Sequence, residues 1–316
     1  MLSSTEIPIL HTEEFVKHIQ KRKYEDLNLV TMVERYLIKK RGHIFRMPKP
    51  GSHVVLMVSG GIDSTVAWYL LTKKYSLHVY PIMASPNRFH PQERSLRFFS
   101  HIYKHRFSDL YHEPLIIRQA SIPKELLALS RGLRFTPQAL LDSYDIKHKS
   151  FGWAPGSGSS MLNVVYAMLY LESLRSTNSH AFTTIFCGVT AMDGIGIKSQ
   201  TLTFVRLSNL YAMQFFANPT IQLASLYFEK ETGWFARKAD IIRIGASASL
   251  PLEHTHSCYL GGFIHCGTCG GCDARRWEFK ESGIEDKTYY RTSGILQSYG
   301  AEAVRRLTGA LSRRYD

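Results

Sequence analysis

The stretch that decides the fold is His53–Lys74, HVVLMVSGGIDSTVAWYLLTKK. Val54 to Val58 is an unbroken apolar run of strand length and predicts a buried strand. From about Asp63 the apolar and aromatic residues continue at helical length and predict a helix. Between them stand small, hydroxylated and acidic residues. A loop from a strand into a helix N-terminus gathers unsatisfied backbone N–H groups at the positive end of the helix dipole, so it suits an anion. Gly60 and Gly61 carry no Cβ and let phosphate oxygens come close to the main chain. Ser59, Ser64 and Thr65 add hydroxyl donors. Asp63 would repel a bare phosphate. It makes sense as a helix cap, or as a partner for Mg²⁺ carried by the phosphates. No Gly-Lys-Ser/Thr follows, so this is not a Walker A loop.

Outward from this unit, strands and helices alternate. LHVYPIM (77–83), PLIIRQ (114–119), TTIFCGV (183–189) and TIQLASL (220–226) read as strands. QERSLRFFSHIYKH, PKELLALS, MLNVVYAMLYLESL (161–174) and FVRLSNLYAMQFF (204–216) read as helices. The alternation predicts an α/β fold with a doubly wound, mostly parallel sheet. Residues 131–154 read as an active-site loop or insertion. Residues 10–47 are basic and carry helical periodicity, and MPKPGS (47–52) after them reads as a linker. The expected organisation is thus an N-terminal helical arm (1–50), an α/β domain that carries the glycine loop (51–250) and a cysteine-bearing C-terminal region (251–316).

The chain has 316 residues, 44% of them hydrophobic, which is enough for a substantial core. It has no apolar run of bilayer length and no apolar stretch near its start, so the expectation is a soluble, cytoplasmic protein without a membrane span. The net charge of +13 suits a polyanionic partner such as nucleotide phosphates, nucleic acid or an acidic protein face. Cys187 stands alone in an apolar run and reads as core.

The other four of the five cysteines crowd into THSCYLGGFIHCGTCGGC, spaced C-x7-C-x2-C-x2-C. In a chain of this character the cluster reads as a metal site rather than as disulfides. Cys258, Cys266, Cys269 and Cys272 suit a tetrahedral structural Zn²⁺. An iron–sulfur cluster is the chemical alternative. His254, His256 and His265 are not needed as ligands and are expected at the surface or behind the thiolates.

The pattern S-G-G-x-D-S behind a strand resembles the PP-loop of the ATP pyrophosphatases. Members of that superfamily cleave ATP between the α and β phosphates and transfer AMP to an oxygen of the substrate, so a nucleophile can then displace AMP. With the cysteine cluster, the chain resembles one PP-loop family, the 7-cyano-7-deazaguanine synthases (QueC-like). The resemblance runs from residue 53 to about 280. Thr255–Tyr259 resembles the family's T-x-S/T-C-Y, and Cys266–Cys272 its C-G-x-C-x-x-C. His90 and Glu93 resemble its H-x-x-E, and Pro155-Gly156 the start of its P-G-R-N. Gly188-Val189 with Asp193 and Gly196 resembles its G-V-x-x-x-D-x-x-G, and Lys238 its K-A-E lysine. The resemblance implies an ATP-dependent C–N ligase forming AMP and pyrophosphate. Ser59, Gly60, Gly61, Asp63, Ser64 and Thr65 would bind ATP and Mg²⁺. Asp63, Lys238 and Asp193 would act in catalysis, and His90, Glu93 and Gly156 would meet the substrate.

Departures from the family fall in the substrate region. Ser157-Gly158 stands where the family has arginine and asparagine, and IKSQT follows Gly196 where it has Y-P-D-C-R. Lys198 can replace part of the lost positive charge. Three readings follow. The first activates a 7-carboxy-7-deazaguanine-type carboxylate and passes it to another amine, such as a protein N-terminus or lysine, as QueC-like proteins of antiviral operons do. The second is a 7-cyano-7-deazaguanine (preQ0) synthase using ammonia. The third is a basic zinc-ribbon module that binds nucleic acid without catalysis. The altered pocket, the N-terminal segment and the charge favour the first. Expected partners are ATP and a deazapurine carboxylate, with a protein acceptor, nucleic acid and a second copy of the chain as further candidates.

Overall fold

The computed structural model describes residues 24–85, 90–118, 157–178, 180–190, 200–232, 235–258 and 263–291. Its elements, in chain order, are α1 (Leu27–Arg41), β1 (His53–Met57), α2 (Ile62–Lys73), β2 (His78–Ser85), α3 (Pro91–Arg106), β3 (Leu115–Arg118), α4 (Ser157–Thr177), β4 (Phe182–Cys187), α5 (Leu202–Phe215), β5 (Gln222–Ser225), α6 (Lys238–Ser247) and α7 (Gly270–Ser282). The strands form one sheet in the order β3-β2-β1-β4-β5, and every neighbouring pair is parallel. The expected doubly wound α/β fold is present. The helix read at PKELLALS lies outside the described residues.

The two faces of the sheet follow from side-chain alternation along each strand. Val54 and Leu56 of β1 join Val66, Leu70, Phe99, Ile241 and Phe279, so one face is covered by α2, α3, α6 and α7. Val55 points the other way and joins Val164, Leu171, Val205 and Val30, so the second face is covered by α4, α5 and α1. β2 runs to Ser85, past the apolar run in the sequence, because its last four residues pair with β3. Cys187 is buried as expected, and its thiol donates to the Ala224 carbonyl.

Helix α1 is fixed at both ends. The Asp26 carboxylate accepts from the Leu29 N–H, and Gly42 closes the helix in the left-handed conformation. Its Val33 and Leu37 pack against Met213 of α5. Glu25 accepts from the N–H groups of Leu202 and Thr203, which sets a carboxylate at the positive end of α5. Arg206, buried in the next turn, bonds to Glu229 and Glu34. Burial alone would lower the guanidinium's pKa, but these carboxylates outweigh it and keep the side chain charged.

Candidate functional site

In a parallel sheet with this order, ligands bind beyond the C-terminal strand ends where the winding reverses, here between β1 and β4. The chain leaves β1 there and turns through Ser59, Gly60 and Gly61 into α2. Gly60 has φ +72°, a conformation that costs other residues about 1–2 kcal/mol. A Cβ on it would also lie 2.2 Å from the Gln92 carbonyl oxygen of α3. Across the switch point, a Cβ on Gly188 would lie 3.0 Å from the Ser64 nitrogen. Gly60 is therefore required by close approach, and at Gly188 a Cβ would be held tightly against the Ser64 backbone.

The loop is braced from within. The Ser59 N–H donates to Ser64 Oγ at 3.1 Å, the Gly61 N–H donates to Ser59 Oγ at 3.3 Å, and the two hydroxyls lie 3.2 Å apart. The Gly60 carbonyl accepts from the Ser95 hydroxyl at 2.7 Å and from the His256 N–H at 2.9 Å. Tyr103 and Tyr227 donate their hydroxyls to the carbonyls of Thr65 and Asp63. Ser64 and Thr65 are themselves buried.

Asp63 does not cap α2. The N-cap is Gly61, with no side-chain cap bond, and Asp63 sits in the first turn. Its Oδ2 lies 3.7 Å from Lys238 Nζ at the start of α6, and the same Nζ lies 3.7 Å from Glu278 Oε1 on α7. The first turns of two helices thus bring a carboxylate and an ammonium together beside the glycine loop. This arrangement can hold a hydrated divalent cation on one side and a phosphate on the other. Glu278 carried no local signal in the sequence; only the fold brings α7 to this end of the sheet.

His90 is the N-cap residue of α3, and its carbonyl accepts from the Glu93 N–H. Glu93 is 1% exposed and bonds to Arg97 and to both terminal nitrogens of Arg118 at the end of β3. Burial pushes its carboxyl up, but the bonds from Arg118, Arg97 and Ser85 outweigh burial and leave it below the ordinary value. Glu93 therefore clamps β3 to α3, the helix whose Gln92 and Ser95 wall the loop. Gly156, Asp193 and Lys198 lie outside the described residues.

The cysteines come together after the short helical turn Leu252–His254. One sulfur from each of Cys258, Cys266, Cys269 and Cys272 lies within 4.8 Å of the others. The shorter separations are 3.5 Å (Cys269–Cys272), 3.8 Å (Cys266–Cys272) and 3.9 Å (Cys258–Cys269). Four thiolates on a tetrahedral ion at about 2.3 Å would stand roughly 3.8 Å apart, so the donor set fits such an ion. The N–H groups of Thr268 and Cys269 donate to Cys266 Sγ, both at 3.3 Å, and stabilise negative charge on that sulfur. His256 and His265 are buried behind the cluster. The His265 Nε2 accepts from the Ser257 N–H, and the His256 ring meets the Cys258 carbonyl. Burial lowers both imidazoles to about 4, so they stay neutral.

The two motifs are physically joined. His256, whose N–H holds the Gly60 carbonyl, stands two residues before Cys258. Helix α7 starts inside the cysteine cluster and carries Glu278 to Lys238. Arg275 of α7 is fully buried and bonds to Thr255 Oγ1, the Leu252 carbonyl and Thr288 Oγ1. No described helix is long and apolar enough to cross a membrane.

Comparison with known proteins gives a match to the family described as queuosine biosynthesis protein QueC, over residues 53–283. The 7-cyano-7-deazaguanine synthase of Methanothrix thermoacetophila is 31% identical over 241 residues, which covers 75% of this chain and 98% of the relative. That of Thermoplasma acidophilum is 27% identical over 240 residues, covering 75% and 91%. Among solved structures the chain is similar to the U34-tRNA thiolase NcsA of Methanococcus maripaludis, determined with its [4Fe-4S] cluster. The identity there is 12% and the TM-score 0.35, with 97% of this chain and 86% of that one covered. A likeness that distant carries no argument about the metal.

Proposed function

The chain belongs to the QueC family of PP-loop ATP-dependent enzymes, and on that premise we propose that it adenylates a 7-carboxy-7-deazaguanine-type carboxylate and passes the acyl group to an amine. The observation that carries this reading is the braced Ser59–Thr65 loop at the switch point, with Asp63 and Lys238 beside it. A carboxylate oxygen attacks the α-phosphorus of ATP, pyrophosphate leaves, and the acyl-adenylate forms. The amine nitrogen then attacks the acyl carbon, AMP leaves, and the nitrogen loses a proton.

In this reading the loop from Ser59 to Ser64 holds the departing pyrophosphate through backbone N–H groups and hydroxyls. Lys238 neutralises phosphate charge, and Asp63 would hold Mg²⁺, which supplies Lewis-acid polarisation of the phosphates. The cysteines would hold a structural Zn²⁺, which keeps the His256 segment and α7 against the loop. The domain division at about 50 and 250, and substrate contacts by His90, Glu93, Gly156, Asp193 and Lys198, are part of the same proposal.

Two acceptors compete. The names of the relatives favour ammonia, with a second ATP-driven dehydration to the nitrile. Ser157-Gly158, in place of the family's arginine and asparagine, and the +13 charge favour a larger amine such as a protein N-terminus or lysine, the conjugation used in antiviral defence. We take the conjugating reading as the sharper proposal. Mass spectrometry of the protein with 7-carboxy-7-deazaguanine, ATP, Mg²⁺ and ammonium tests it. AMP without nitrile supports conjugation. Nitrile with AMP assigns the ammonia reaction. No AMP from Mg²⁺-ATP with this carboxylate overturns the adenylation itself.

A further inference from the structure

The end of the sheet opposite the glycine loop carries a histidine cluster that the adenylation chemistry does not use. His53 opens β1 and His78 opens β2, and the parallel register makes them direct partners. Partners in register point to the same face of the sheet, and their rings are stacked with centroids 4.4 Å apart. His112 follows Tyr111, which bridges to Val79 of β2. Its Nε2 lies 3.2 Å from His78 Nδ1. Tyr80, two residues along β2 from His78, places its hydroxyl 3.1 Å from His53 Nδ1. His180, just before β4, also stacks on His53.

One nitrogen from each of His53, His78 and His112 lies within 4.8 Å of the others. We propose that these three imidazoles form a second metal site, distinct from the cysteine cluster, that takes a divalent transition-metal ion. Three observations support it. Two nitrogens bound to one tetrahedral ion at about 2.0–2.1 Å stand roughly 3.3 Å apart, and the His78–His112 pair is already at 3.2 Å. The third nitrogen lies within 4.8 Å of the other two, so bringing it in takes at most about 1.5 Å of ring movement, within the broad χ2 freedom of histidine. With Nε2 of His53 as the ligand atom, the Tyr80 hydroxyl at its Nδ1 would supply the outer hydrogen bond that a ligating imidazole commonly makes through its other nitrogen.

The ligand chemistry selects the ion. All-imidazole donors suit Zn²⁺, Ni²⁺ or Cu²⁺, whereas Mg²⁺ and Ca²⁺ require oxygen. The location sets the role. At about 3.3 Å per residue, β1 puts the cluster roughly 15 Å or more from the glycine loop. An ion there would tie the starts of β1 and β2 to the His112 segment and would not reach the reacting atoms.

The experiment uses the full chain without a polyhistidine tag, stripped by chelator and titrated with Zn²⁺ and, separately, Co²⁺. The expected result is two Zn²⁺ per chain, falling to one in the His78→Gln/His112→Gln double variant. With Co²⁺ the double variant keeps the intense sulfur-to-metal absorption of the cysteine site and loses the weaker nitrogen-ligand bands. Tyr80→Phe weakens the second ion about tenfold to a hundredfold. If the double variant fails to fold by circular dichroism, His112→Gln alone, outside the strands, gives the same readout. One Zn²⁺ per chain in the unaltered protein overturns the proposal. So does a count of two that the histidine changes leave untouched.

Discussion

The glycine loop and the cysteine cluster are built on opposite principles. The loop is specified by backbone. Gly60 is there because φ is +72° and because the Gln92 carbonyl leaves no space for a Cβ, and its bracing bonds close without any ligand. The cluster is specified by side chains. Its thiols lie at ion-holding separations, and four thiolates that close can all ionise only around a cation. On the function proposed, the loop would be a preorganised site for its ligand, and the cluster, which could hold a metal ion, would be a fold element completed by it. The His256 N–H and the Glu278 carboxylate connect the two, so damage should travel from the cluster to the loop more readily than the reverse.

The strongest way to break this asymmetry is Cys269→Ser. It should release the metal and forfeit on the order of 10 kcal/mol of binding free energy that helps fold the region. Metal analysis and limited proteolysis after residue 255 would show it, and AMP formation should fall with it although Cys269 is the N-cap of α7 and no part of the loop. A metal-free variant with full turnover and unchanged proteolysis would falsify the coupling. The reverse experiment is Gly60→Ala. Its Cβ collides with the Gln92 carbonyl, and disturbing donors preorganised for transition-state charge should lower kcat for pyrophosphate release about 10²–10³-fold. The metal content should stay that of the unaltered protein. Loss of metal in this variant would show that the loop and cluster fold as one unit.

What could be read from the sequence divides along the same line. Strand β1, the loop and α2 were legible because an apolar run, two glycines and a hydroxyl pattern are contiguous from Val54 to Trp68. The cysteine spacing was legible because its ligands lie within fifteen residues, Cys258 to Cys272. The bracing of the loop was not legible, since Ser95 arrives from α3, Tyr227 from the turn after β5 and Glu278, by way of Lys238, from α7, with no local signature. Of the two roles read for Asp63, helix cap or Mg²⁺ partner, the structure excludes the cap, for a local reason. An aspartate before a helix usually caps it, but here the helix begins one residue earlier and Gly61 is the N-cap. The pairing of His53 with His78 needs the register of two strands twenty-five residues apart, which composition does not carry.

Lys238 gives a smaller and sharper test, because it touches both regions. Its ammonium lies equally close to Asp63 of the loop helix and Glu278 of the cluster helix. Lys238→Ala should lower kcat/KM for ATP by about 10²-fold if the lysine meets phosphate charge in the transition state. A structural lysine would instead lower Tm with little change in kcat, and Lys238→Arg would then restore stability and activity equally. Kinetics and thermal unfolding of both variants separate the outcomes.

The smallest effect concerns the wall of the loop. Glu93 holds Arg118 and Arg97 from a buried position, and its carboxyl sits below the ordinary 4.5. Although burial pushes it up, the guanidinium and Ser85 bonds win, so the folded protein binds the proton more weakly than the unfolded chain does. A group depressed in this way contributes its stability above the unfolded value and loses it as pH falls through the folded one. Glu93→Gln should therefore cost about 1–3 kcal/mol at neutral pH through the lost charged hydrogen bonds. The gap between variant and unaltered protein should narrow below pH 4.5. Urea unfolding from pH 7 to pH 3 measures both curves. A gap that stays constant across that range would mean that Glu93 acts through packing alone, and that α3 is held against Gly60 by Ser95 and Gln92 without help from the ion pair.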